Sequence, residues 1–191
     1  MLKLIGILIL YCLIISCNND RGLTAPAENR DFFPVTSFLK GQVHEVDSLK
    51  LPFLEYRTLN NKTDTVAASP EEFYNLAAEF TEFDINDMSI KRYYTETSFA
   101  DQSIPSITFN YSTKNRNLPL QRVDILINPD PVLSDKVKSI YMEKITTSRD
   151  TSIVKKLYWK TGKSLEVITS KKVPGSPAVF RRVKVIWAPA D

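Results

Sequence analysis

What most limits the fold of this chain is how often it must reverse direction after Met88. Short runs rich in β-branched and aromatic residues, at 90–98, 104–112, 120–128, 137–147, 151–160, 164–170 and 179–187, predict strands. The breaks between them hold turn formers: Asp101 to Ser103, Lys114 to Asn117, Asn128-Pro129-Asp130-Pro131, Ser148-Arg149-Asp150, Thr161-Gly162 and Pro174-Gly175-Ser176-Pro177. Val123/Ile125/Ile127 and Val179/Val183/Val185/Trp187 keep the period of strands with one face on a core. A parallel return needs a crossover of about a dozen residues, so breaks this short predict antiparallel pairing.

The first half of the chain reads differently. Val35, Phe38, Leu39, Val43, Val46 and Leu49 recur at spacings of three and four, which predicts a helix over 33–49, closed by Pro52. FLEYRTL at 53–59 and TDTVAAS at 63–69 flank Asn60-Asn61-Lys62 and read as a hairpin. Ser69, with Pro70 at the first helical position and Glu72 three residues past the cap, makes a capping box for a second helix ending near Asp84. Phe73, Leu76, Ala77 and Phe80 form its apolar stripe. These elements predict an α+β fold in one domain over 32–191, with the two helices on one face of a curved antiparallel sheet.

The chain begins MLKLIGILILYCLIISCNND. Lys3 precedes an apolar run from Leu4 to Ile15, shorter than the roughly 20 residues a spanning helix needs and suited to a secretory signal. Ile14-Ile15-Ser16-Cys17 resembles the lipobox of bacterial lipoproteins. The Asn-Asn-Asp stretch that follows is similar to lipoproteins of Gram-negative envelopes, those of the Bacteroidota among them. The resemblance covers residues 1–17 and implies a signal peptide over 1–16, cleavage before Cys17, and lipid on its thiol. The polar residues 17–31 then read as a lipidated N-terminus and flexible tether. The expected location is a lipid-anchored position in the envelope, on the outer membrane facing periplasm or cell surface. With Cys12 in the signal and Cys17 blocked, the resemblance leaves no thiol for cysteine catalysis, disulfides or cysteine-ligated metal.

Charge divides the chain. Residues 17–87 carry 6 positive and 13 negative side chains, and residues 88–191 carry 18 and 9. Lys155, Lys160, Lys163, Arg182 and Lys184 are the candidate docking patch, for an envelope protein, an anionic lipid or a polysaccharide. The same cations also suit an exposed edge kept from pairing with other chains. No nucleic-acid module is recognisable, and nucleic acid is not an expected partner.

Catalytic signals are sparse. His44 is the only histidine, with Asp47 three residues on; one imidazole falls short of a zinc hydrolase set. Glu82, Asp84 and Asp87 lack the spacing of a calcium loop. Asp124 and Asp130 offer paired carboxylates. The five glycines are scattered, with no phosphate loop or dinucleotide fingerprint. Trp159, Trp187, Tyr94, Tyr111, Tyr141 and Tyr158 are aromatic candidates for core or groove. The expectation is a non-enzymatic binding or structural protein with no cofactor, no metal, and membrane attachment through its N-terminal lipid. The alternative is an envelope hydrolase acting on glycan or peptide through paired carboxylates.

Overall fold

The computed structural model describes residues 31–60, 62–101, 103, 105–129 and 137–187. The expected signal, Cys17, the tether up to residue 30, and Asp130 lie outside the described residues.

Helix α1 (Val35–Leu49) leads to hairpin β1 (Phe53–Leu59) and β2 (Lys62–Ala68), then α2 (Pro70–Thr81). Seven strands follow: β3 (Tyr94–Asp101), β4 (Ser106–Thr113), β5 (Leu120–Ile127), β6 (Val137–Ser148), β7 (Thr151–Lys160), β8 (Ser164–Lys172) and β9 (Val179–Ile186). All pair antiparallel in one open sheet, ordered β2-β1-β9-β8-β7-β6-β5-β4-β3. Nine strands against two helices make the domain richer in sheet than a balanced α+β fold, because after Tyr94 each turn returns the chain to the neighbouring strand.

Local chemistry accounts for most boundaries. Ser69 accepts from the Glu72 amide and the Glu72 carboxylate accepts from the Ser69 amide, closing the capping box of α2. α1 stops at Lys50, which adopts a left-handed conformation (φ 49°), before Pro52 is reached. The strand expected from residue 90 begins only at Tyr94. Asp87 holds the Ser89 amide (2.8 Å) and hydroxyl (2.7 Å), and its carbonyl starts the 3-10 turn Lys91–Tyr93. Gly162 and Gly175, at φ of 68° and 77°, sit in the β7–β8 and β8–β9 turns where a Cβ would be strained.

Both helices pack on one face. Phe73 and Phe80 of α2 meet Trp159 at ring-centroid distances of 6.4 and 5.4 Å, and Trp187 closes on Trp159 at 5.4 Å. Leu39 of α1 is fully buried in the same cluster as Tyr94, Tyr111, Val123, Ile125, Ile140, Met142, Leu157, Leu165 and Val185. Burial pushes the Tyr94 and Tyr111 phenols up to about 12. Tyr94 donates to the Leu120 carbonyl (2.6 Å), and the Tyr111 hydroxyl accepts from the Phe33 amide (3.1 Å), fixing the chain as it enters α1. Two register shifts between β5 and β6, at Leu120/Arg122 and Leu126/Ile127, leave Gln121 and Lys138 as extra residues in the ladder.

Candidate functional site

The face away from the helices holds the site. Strand alternation sends every second residue there, and the pairing registers align them in rows across the sheet. One row runs Thr97, Asn110, Asp124, Tyr141, Tyr158, Glu166, Lys184, Tyr56, Thr65, touching all nine strands. Its left part is a polar chain in which Asn110 donates to Asp124 and Arg122 binds Asp124 through Nε (2.9 Å) and Nη2 (2.7 Å). The Arg122 guanidinium lies 5.9 Å from the Tyr141 ring. Tyr141 donates to Glu143 (2.8 Å) and rests against Tyr158 at a centroid distance of 4.9 Å. Its phenol is held well above the usual tyrosine range, first by desolvation and then by the bond to Glu143.

At the centre of this face lies a groove of about 710 Å³, lined by Leu126, Ser139, Tyr158, Lys160, Ile168 and the Glu166–Arg182 pair, with Lys138 and Lys184. Arg182 grips Glu166 with both ends of the fork, Nε to Oε1 at 2.8 Å and Nη2 to Oε2 at 2.9 Å, which raises the guanidinium pKa. A second recess of about 300 Å³ beside Tyr56, Thr58 and Ile186 shares Arg182 and Lys184 with the first. Those two side chains therefore stand between the two hollows. Among the described residues, Lys160 and Lys184 have no carboxylate partner.

The five cations proposed as one patch are divided by the fold. Lys160, Arg182 and Lys184 share the open face, whereas Lys155 is on the other side with Leu157 and Trp159, paired to Glu79 of α2 at 2.6 Å. This corrects its placement in the patch: β7 alternates, and Lys155 has the parity of the core residues. Lys163 belongs to the β7–β8 turn, by a recess of about 600 Å³ with Phe38 and Gln42 of α1, which Lys138 and Lys160 also line. The acidic helix neutralises sheet cations directly. Lys144, 5% exposed, binds the Glu79 carbonyl and the Glu82 carboxylate (2.7 Å), and Arg57 bridges Glu55 and Glu72.

The remaining carboxylate candidates have local work. Asp47 accepts from Tyr74 (2.6 Å) and Lys50 (3.0 Å), tying α1 to α2, and is held below the usual aspartate range chiefly by Tyr74, while His44 is exposed. Asp84 accepts from the Asn86 amide (2.9 Å), Asp87 serves Ser89, and Glu82 serves Lys144, so these three do not converge on a cation. No group of three or more metal-ligating side chains occurs among the described residues. Of the aromatic candidates, Trp159, Trp187, Tyr94 and Tyr111 are core, and Tyr141 and Tyr158 face outward.

Sequence reasoning missed Lys138, Tyr56, Glu166 and Ile168. Glu166 was within reach, since it lies between the buried Leu165 and Val167 and must point away from them. No helix among the described residues is long and apolar enough to cross a membrane. No known family model, curated protein or solved structure matches this chain.

Proposed function

We propose that this protein is a lipid-anchored component of a bacterial envelope, acylated at Cys17, and that its sheet domain is a non-enzymatic module binding an anionic envelope component. The binding part is carried by the unequal treatment of lysines on the two faces. Lys155 meets Glu79 of α2 and Lys144 meets Glu82 just past its end, while Lys160 and Lys184 overlook the open groove with no carboxylate partner among the described residues. Unpaired lysines above apolar walls attract an anion from a distance that salt controls. Right-handed twist accumulated over nine strands would curve this face, so that an extended ligand crossing the strands meets Tyr158, the Glu166–Arg182 pair and Lys184 in turn. The envelope address is supported by the cationic start, the apolar run, Ser16 and Cys17.

Replacing Cys17 by Ser should leave unprocessed precursor and abolish incorporation of labelled fatty acid; unchanged acylation would end the anchor reading. For the groove, Lys160→Glu with Lys184→Glu spares the tied Arg182. It should weaken retention on acidic envelope polymers about tenfold at low salt, the gap narrowing past about 0.1 M, where the screening length is about 10 Å. Equal retention of wild type and variant at every salt concentration would remove the groove as the docking surface.

A further inference from the structure

Three large apolar side chains left in solvent lie at one corner of the sheet: Leu59 (53% exposed), Val179 (46%) and Phe180 (56%). β1 ends with Leu59 opposite Arg181 of β9, and the Asn60 amide donates to the Phe180 carbonyl at 3.4 Å. Alternation puts Leu59 and Val179 on the helix side and Phe180 on the open side. Apolar groups thus leave both faces of the same sheet end.

Exposed cations surround them. Lys171 pairs in register with Val179, Lys172 follows it, Arg181 lies between Leu59 and Thr169, and Lys62 is the partner of Leu59 in β2. No acidic residue occurs from Val167 to Trp187. A recess of about 330 Å³ opens beside this corner, between the β6–β7 turn and the end of β8. Arg149 and Lys172 line it with the hydroxyl residues Ser148 and Thr151, against a single carboxylate, Asp150.

We propose that this end of the sheet docks end-on against an anionic phospholipid bilayer. Leu59, Val179 and Phe180 enter the interfacial region, and the surrounding cations meet headgroup phosphates, one of which fits the recess beside Arg149 and Lys172. Exposed apolar groups ringed by lysine and arginine have the composition that binds membrane interfaces. A protein partner laid on one face would leave either Phe180 or the Leu59–Val179 pair uncovered, whereas an interface that surrounds the sheet end covers all three. End-on docking also leaves the groove open. The inference does not rest on the groove and shares with the proposed function only the membrane setting.

The full chain, reconstituted into vesicles of phosphatidylglycerol or of phosphatidylcholine, tests this by amide hydrogen exchange. Each lysine or arginine near an anionic surface favours association about fivefold. Exchange over 171–181 should therefore be at least about tenfold slower on phosphatidylglycerol than on phosphatidylcholine. Leu59→Ser with Phe180→Ser, and separately Lys171→Glu with Lys172→Glu, should abolish that difference, while Lys160→Glu with Lys184→Glu keeps it. Unchanged exchange in β5 to β7 reports that the variants are folded. Equal exchange on the two lipids overturns the docking, as does full slowing in the Leu59→Ser, Phe180→Ser variant. If Cys17→Ser carries no lipid yet keeps the phosphatidylglycerol-dependent slowing, docking stands and the anchor is not what produces it.

Discussion

On one side of β7, Leu157 and Trp159 are fully buried and Lys155 reaches Glu79 of α2; on the other, Lys156, Tyr158 and Lys160 stand exposed. The same six-residue stretch supplies both. Aromatic rings also occur on both sides, but Trp159 contacts Phe73, Phe80 and Trp187 in the core, whereas Tyr158 leans on Tyr141 at a surface. Cations follow the same division, with Lys144 sunk against the end of α2 and Lys184 on the groove. Residue type does not separate these roles; what separates them is which face the helices cover. Stability is expected to reside on the helix side and recognition on the open side.

The sharpest test of that division changes neighbouring residues. Trp159→Ala should cost about 3–5 kcal/mol in urea unfolding, through lost burial and the cavity it leaves. Tyr158→Ala, one residue away, should cost about 1 kcal/mol, the scale of an aromatic pair at a surface. Similar losses from the two would break the comparison.

A smaller contrast separates the lysines. Lys144→Ala removes a charged donor from the Glu79 carbonyl at the end of α2 and should cost about 1.5–3 kcal/mol, measured by the same unfolding. Lys160→Ala should stay within about 0.5 kcal/mol. An equal effect of the two would mean that Lys160 is held by contacts other than those of an exposed groove lysine.

The smallest effect lies where α2 begins. Glu72 titrates below the usual glutamate range, first because the Ser69 amide donates to it and then through Arg57. Its contribution is therefore full above the unfolded-state value and is lost as pH falls through the lower folded-state value. The stability gap between wild type and Glu72→Gln should close as pH drops from 7 to about 3, followed by thermal unfolding; a gap that widens on acidification would contradict the sign. Ser69→Ala should cost about 1 kcal/mol at neutral pH, with little effect on groove binding.

Much of this arrangement is legible in the sequence. The strand runs, their turns and the Ser69–Glu72 box are local, each set by the alternation, turn chemistry or capping of a few consecutive residues. Arg182 and Lys184 alternate with the buried Val183 and Val185, and that alternation alone turns both outward. Lys155 belongs on the core side by its parity with Leu157 and Trp159, but a run of lysines carries the composition of a surface on both faces and hides that parity. The irregular residues were harder. At Gln121 and Lys138 an extra residue enters one strand of a pair, and simple alternation cannot foresee where it will fall.

Periodicity and turn residues act over a few positions, and they are enough to specify short antiparallel strands and two amphipathic helices. Long-range packing is what pairs β1 with β9, lays both helices on the same face, and neutralises Lys144 and Lys155 while leaving Lys160 and Lys184 over a groove. Alternation gives a sheet two faces without naming the one to be covered. Joining β1 to β9 closes a long loop, and the entropy of closure changes so slowly with length that no local signal marks the partner; it is chosen by what the assembled core can bury.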